Sequence, residues 1–372
     1  MERIPLARPT LGGNEHRYVQ ECLDSTWISS NGRFIDQFEG AFAELCRVPH
    51  AVSCSNGTVA LHVALLGLGV QPGDEVVVPS LTYVATANAV RYCGAVPVFV
   101  DSELDTWNIS PEDVERKITP RTRAIIAVDL YGRVAPMLEL EEIARSRGLA
   151  LLEDAAEAHG AQLRGRMAGS FGDAATFSFY GNKIMTCGEG GMIVTRDEEL
   201  AASMRMIKGQ GQDPNRRYWH PIVGFNYRMT NIEAALGLAQ LEQLPAFLAA
   251  RDRIRRLYEE ALDGVAGVTL PSRDGDGRTV CWLYSVLLDC DRGRRDQVIL
   301  EMDRRGVETR PFFYPVHQLP PYQDQPGLPS NSNADSLSAR GLTLPTWVGM
   351  DEDHVKLIAG ALVDSLALVG AI

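Results

Sequence analysis

Ala124-Ile125-Ile126-Ala127-Val128, a helix-like segment from Leu138 to Arg147, and then Leu149-Ala150-Leu151-Leu152 decide the fold. An apolar run, a mixed segment and a second apolar run read as strand, crossover helix and strand, the unit of a parallel sheet covered by helices. The same alternation extends outward in both directions. Strands are predicted at Ala51–Ser53, Glu75–Val78, Val96–Val100, Ala124–Val128, Leu149–Leu152, Ala174–Phe179 and Met192–Thr195, with helices at Thr58–Gly67, Thr82–Tyr92, Pro111–Lys117 and Leu138–Arg147. The fold class is therefore α/β, with a mostly parallel seven-stranded sheet.

After Thr230 the texture changes to a long Ala/Leu-rich helical stretch, Asn231 to Leu262, placed to link two domains. A strand over Val280–Leu288, a helix over Arg294–Arg305, a strand over Val307–Thr309, a Pro-rich loop from Pro311 to Pro329 and a helix from Asp351 to about Leu368 follow. The chain of 372 residues is long enough for roughly two domains of about 150 residues. The expected division is a large domain over 1–240 and a small α+β domain over 241–372 that includes the linker helix, with the first thirty or so residues packing beside the small domain.

Lys+Arg 36 against Asp+Glu 48 gives a net charge of −12, a field that disfavours nucleic acid and anionic membranes. The start, Met1 to Thr10, lacks an apolar signal core, and no stretch approaches a membrane span. The expectation is a cytoplasmic protein. Its seven scattered cysteines, with no CxxC pair, read as reduced thiols, and the seven histidines show no metal-ligand spacing. No metal is expected.

Three segments carry chemistry. Ser55-Asn56-Gly57-Thr58 follows a strand and opens a helix, so it offers free N–H groups to an anion; alone, it reads better as an ordinary N-cap turn. Neither GxGxxG nor GxxxxGK[ST] is present, which disfavours nicotinamide and ATP chemistry. Leu151-Leu152-Glu153-Asp154-Ala155-Ala156-Glu157 runs a strand into acids at the sheet edge where ligands bind. Phe177-Ser178-Phe179-Tyr180-Gly181-Asn182-Lys183 ends another strand in a lysine, which would be partly desolvated there and so nucleophilic. A phosphate cup, a carboxylate for a ring nitrogen and an amine for an aldehyde together specify pyridoxal 5'-phosphate.

With Trp27-Ile28-Ser29-Ser30-Asn31-Gly32, Pro79-Ser80-Leu81-Thr82-Tyr83, Val128-Asp129-Leu130-Tyr131-Gly132 and Arg310-Pro311-Phe312-Phe313-Tyr314-Pro315, these motifs resemble the DegT/StrS group of sugar-nucleotide aminotransferases. The group has the aspartate-aminotransferase fold. The resemblance implies that Lys183 is the catalytic lysine and proton shuttle and that Asp154 partners the pyridinium nitrogen. It also implies that Gly57, Thr58 and Ser178 hold the phosphate and that Tyr83 stacks on the ring. Glu157 stands where many members carry Gln, near the ring oxygen. Asn226 and Arg228 match residues donated across a homodimer interface, Asn226 to the cofactor phosphate and Arg228 toward the substrate; His317 matches a histidine near the sugar nucleotide.

The implied reaction passes the amino group of L-glutamate through pyridoxamine phosphate to a nucleotide-linked keto-sugar, in O-antigen or antibiotic-sugar synthesis. Lys208-Gly209-Gln210-Gly211 and Gly224-Phe225-Asn226-Tyr227-Arg228 are most similar to members that aminate carbon 4 of GDP-4-keto-6-deoxymannose. A 3-keto sugar, another nucleotide sugar and a noncatalytic protein of the same fold stand as alternatives. Lys208, Arg216, Arg217 and Arg228 are expected to form a positive mouth in the acidic body.

Overall fold

The computed structural model describes residues 3–272, 275–325 and 332–371. Seven strands form the large sheet: β1 His50–Cys54, β2 Glu75–Pro79, β3 Val96–Val100, β4 Thr122–Val128, β5 Ala150–Asp154, β6 Ala174–Ser178 and β7 Gly191–Thr195. Their order is β1-β7-β6-β5-β4-β2-β3. β2 to β6 run parallel, while β7 is antiparallel to both neighbours, β1 and β6. β7 reverses because a loop, not a crossover helix, joins it to β6. Every residue of β2 and β7 is buried, as expected of strands covered on both faces.

Helices cover the two faces: α1 Glu15–Ser25, α2 Arg33–Cys46, α3 Gly57–Gly67, α4 Ala85–Tyr92, α5 Pro111–Lys117, α6 Met137–Arg147, α7 Glu198–Lys208 and α8 Asn231–Leu262. The sequence reading missed α1, α2 and α7. α2 buries Phe34, Phe38 and Phe42, a one-face stripe at spacing four, and α7 is capped by Asp197, whose side chain accepts from Leu200 N–H. α8 opens on a capping box, with Thr230 and Glu233 each accepting from the other's backbone. The N-terminal segment divides: Ile4 bridges Val307 and Leu6 accepts from Thr346 N–H in the C-terminal part, whereas α1 and α2 pack on α8.

A four-stranded sheet follows in the C-terminal part, made of β8 Val268–Thr269, β9 Ser285–Leu288, β10 Arg310–Pro311 and β11 Gly341–Thr343 in the order β8-β9-β11-β10. With α9 Arg292–Arg304, α10 Asn333–Arg340 and α11 Glu352–Leu368 it encloses its own core around Tyr258, Val286, Met302, Ile358 and Leu362. Two sequence assignments change here. The strand expected over 280–288 is confined to 285–288 because Val280–Trp282 turns aside to bond elsewhere: Val280 N–H donates to Gly132 O at 3.0 Å, and Arg251 Nη1 to Trp282 O at 2.6 Å. The strand expected over 307–309 reduces to a single bridge at Val307, and pairing begins at Arg310. Residues 326–329 of the expected Pro-rich loop lie outside the described residues. No helix among the described residues is long and apolar enough to cross a membrane.

Candidate functional site

The parallel strands end on one edge of the sheet, and the segments after β1, β2, β5 and β6 converge there, where α/β sheets bind ligands. A cavity of about 680 Å³ opens at that edge, within the usual range for small-molecule sites. Gly57, Thr58, Tyr83, Asp154, Glu157, Ser178 and Lys183, all singled out from sequence, line it together.

The turn after β1 is shaped by a cap and a close approach. Asn56 Oδ1 accepts from Val59 N–H at 3.0 Å, which leaves the N–H groups of Gly57 and Thr58 without a helical carbonyl. A Cβ on Gly57 would stand 2.8 Å from Ser178 Cβ, so only glycine lets the helix end meet the end of β6. This cup of backbone donors and hydroxyls suits a phosphate.

Asp154, the last residue of β5, is buried. Its Oδ2 accepts from Thr86 Oγ1 at 2.9 Å and its Oδ1 from Ala156 N–H at 3.3 Å. Burial pushes its pKa up, opposed by Thr86, by the Ala156 N–H and by the Lys183 charge. Glu157 Oε2 accepts from Tyr131 N–H at 2.7 Å, and its Oε1 lies 3.8 Å from Lys183 Nζ. Burial lifts the Glu157 carboxyl to about 7 against the pull of Lys183.

Lys183 is itself held below its ordinary value, mainly by burial, with Glu157 and Asp154 opposing. Its Nζ sits 4.1 Å above the centre of the Trp282 ring. A buried carboxylate held by two donors, a desolvated amine and an anion cup in one cavity match what pyridoxal phosphate requires, and the residues fit that cofactor. Tyr83, 58% exposed, lines the cavity with its ring 5.7 Å from that of Phe313.

Three predicted residues stand apart from this cavity. Asn226 is exposed and bridges Gly209. Arg228 is half-buried and donates through Nε to Ser30 Oγ at 3.1 Å. The His317 Nδ1 lies 2.6 Å from Ser80 Oγ and its Nε2 3.5 Å from Asp335 Oδ1. The predicted positive mouth needs correction at Lys208, which is buried and donates to Ser53 O and Glu39, so its charge is spent inside the fold. Arg216 and Arg217 lie over the rings of Trp219 and Tyr218 on an exposed loop.

Sequence reasoning missed Thr86, Tyr131 and Trp282 as parts of the site. Thr86 is an ordinary residue in the first turn of α4, and Trp282 lies 99 positions from Lys183. Tyr131 occurs in a quoted motif, but only its left-handed backbone, φ 52°, shows how its N–H turns to Glu157.

Residues 9–363 match the DegT/DnrJ/EryC1/StrS aminotransferase family. The chain is 53% identical over 364 residues to the GDP-perosamine synthase of Caulobacter vibrioides, covering 97% of this chain and 98% of that one. It is 45% identical to the GDP-perosamine synthase of Escherichia coli O157:H7, over 97% and 98% of the two chains. Among solved structures, the S. venezuelae protein DesV superposes with a TM-score of 0.89 at 37% identity, over 94% of each chain.

Proposed function

The chain belongs to the DegT/DnrJ/EryC1/StrS aminotransferase family, and from that premise we propose that it transfers the amino group of L-glutamate to carbon 4 of GDP-4-keto-6-deoxy-D-mannose, giving GDP-perosamine. The observation that carries this reading is the 53% identity, across nearly the whole length of both chains, to an enzyme named for that product. When bound, pyridoxal phosphate supplies an aldehyde that takes up the amino group and a ring that accepts the electron pair left by a departing proton.

This chain's residues then have distinct tasks. Lys183 removes a proton from the carbon bearing the amino group and returns one to the sugar carbon; its burial holds its pKa below the ordinary lysine value, which favours the uncharged amine that this needs. Asp154, fixed by Thr86 and the Ala156 N–H, keeps the ring nitrogen protonated. Gly57, Thr58 and Ser178 would hold the phosphate, Tyr83 would stack on the ring, and Glu157 would serve the ring oxygen. Asn226, Arg228 and His317 act on phosphate and sugar nucleotide, the first two in the site of a second copy, and the exposure of Asn226 supports that assignment.

The reading includes a cytoplasmic homodimer in O-antigen or antibiotic-sugar synthesis, and a division into domains over 1–240 and 241–372, supported by the separate C-terminal core. The test is incubation with L-glutamate and a panel of GDP-, UDP- and dTDP-linked 3- and 4-keto-6-deoxysugars. Amination of the GDP-linked 4-keto sugar is expected. Exclusive amination of a 3-keto sugar or of a UDP or dTDP sugar would refute it.

A further inference from the structure

Trp282 comes from the C-terminal part of the chain, 4% exposed, yet reaches the amine of Lys183 in the large sheet's cavity. Three contacts fix it there. Its Nε1–H donates to Asn182 O at 2.8 Å, the carbonyl just before Lys183. Its ring lies nearly parallel to that of Tyr131, with centroids 6.2 Å apart at 16°. Its own carbonyl accepts from the buried guanidinium of Arg251 at 2.6 Å. The docking also depends on Gly132, where a Cβ would run into the Val280 carbonyl and φ is +89°. The contacts close a ring: Trp282 holds Asn182 and Lys183, Lys183 faces Glu157, Glu157 accepts from Tyr131 N–H, and Tyr131 lies on Trp282.

We propose that Trp282 is a positioning residue for the amine of Lys183, its indole face receiving Nζ and its N–H fixing the backbone before it, so that the C-terminal part of the chain sets where the proton-carrying group waits. This rests on the reading of Lys183 as the catalytic lysine. A desolvated ammonium over an indole face is favoured electrostatically, and an arginine is buried to hold the segment that presents the ring. The charged and titratable groups around Lys183 are Glu157, Asp154 and His159. Glu157 and Asp154 remain in the variants below, so those variants isolate the ring.

In cofactor-free protein, acetylation of Lys183 by acetic anhydride across pH, followed by peptide mass spectrometry, reads the pKa of the amine directly. Trp282→Leu and Trp282→Phe shield the amine with comparable apolar volume, but only Phe keeps a π face. The Lys183 pKa is expected to be lower in the Leu protein than in the Phe protein by roughly 0.5 to 1.5, the worth of a cation–π contact expressed as a pKa change. In loaded enzyme, kcat should fall in the order Trp, Phe, Leu with KM little changed. The loss with Leu should be tenfold or more, since an ångström of misplacement costs on the order of 100-fold.

Should the Leu protein not fold, wild type against Trp282→Phe carries the same ordering in kcat through the lost Nε1–H donor. Borohydride reduction of the loaded wild type, with peptide mapping, keeps the two claims separate. Cofactor trapped on another lysine overturns the assignment of Lys183 and this inference with it. Cofactor on Lys183, with its pKa equal in the Phe and Leu proteins and kcat within twofold of wild type, overturns the role of Trp282 alone.

Discussion

Replacing Glu157 by Gln keeps the shape of the side chain and removes one ionisation, which makes it a direct probe of the electrostatics beside Lys183. The Gln carbonyl still accepts from Tyr131 N–H, which Glu157 now does at 2.7 Å. What disappears is a buried carboxyl whose pKa is lifted from an ordinary 4.5 to about 7. Between those two values the folded protein binds a proton that the unfolded chain has already released. Stability therefore decreases as pH rises from about 4.5 and levels off above about 7. Each pKa unit is worth 1.36 kcal/mol, so the full decrease attributable to Glu157 is about 3 kcal/mol. Glu157→Gln does not pay it. Urea unfolding of cofactor-free protein at intervals from pH 4.5 to 8.5 should show the variant closing on or overtaking wild type as pH rises, the variant-minus-wild-type difference shifting by about 3 kcal/mol in the variant's favour by pH 8. Two stability curves that stay parallel over that range would refute the placement of a strained carboxyl at 157. The same change removes an attraction acting over 3.8 Å on Lys183, so the lysine should titrate lower in the variant.

Lys183→Ala should abolish turnover while leaving pyridoxal phosphate bound only noncovalently, as judged by its removal on gel filtration; measurable transamination would refute the assignment. Gly57→Ala places a methyl 2.8 Å from Ser178 Cβ and should weaken pyridoxal phosphate binding at least tenfold by fluorescence titration and also lower the Tm of the cofactor-free protein, since the helix end and β6 must move apart. Thr86→Val removes a hydroxyl from a buried carboxylate and should cost about 1.5 to 3 kcal/mol at neutral pH; the cost should shrink on acidification as Asp154 takes up a proton. Mixing Lys183→Ala subunits with Arg228→Ala subunits should restore activity if each site draws on two chains, because one site in each hybrid is then intact; no recovery on exchange would place Arg228 in its own subunit's site.

The sheet was legible because buried parallel strands are written as unbroken apolar runs, and β2, β4 and β7 are such runs. The cofactor constellation was legible for a related reason. In this topology strand ends converge, so Gly57, Asp154 and Lys183, up to 126 positions apart in the chain, could be placed on one edge from local pattern alone. What sequence did not give are contacts fixed by tertiary docking. Trp282 reads as part of a strand until Gly132 and Arg251 draw its segment aside. Lys208 reads as a surface cation until α7 turns it inward onto Ser53 and Glu39. α2 escaped because its apolar stripe of Phe34, Phe38 and Phe42 precedes the first recognisable strand and has no capping signature: Gly32 holds its N-terminus without a side-chain bond.

The loss of Lys208 from the mouth sharpens how an acidic chain accommodates an anionic cofactor. Asp129, Glu153, Asp154 and Glu157 cluster at the ends of β4 and β5, four carboxyls against the single amine of Lys183. If all four were ionised, their field would oppose any phosphate at the neighbouring cup. Burial pushes Asp129 well up, with Glu153 beside it adding to the effect, and lifts Glu153 and Glu157 to about 7. Asp129 Oδ2 finds no donor among the described residues, whereas Glu153 accepts from the N–H groups of Gly169 and Phe171 at 3.0 and 3.1 Å. A proton shared between Asp129 and Glu153 would give Oδ2 a partner, and the upward direction of the Asp129 pKa favours it. All four accept from backbone N–H groups, and Asp154 also accepts from a hydroxyl, Thr86 Oγ1. Burial thus disfavours ionisation at all four carboxyls, which leaves the helix end at Gly57 and Thr58 and the amine of Lys183 to favour an incoming phosphate.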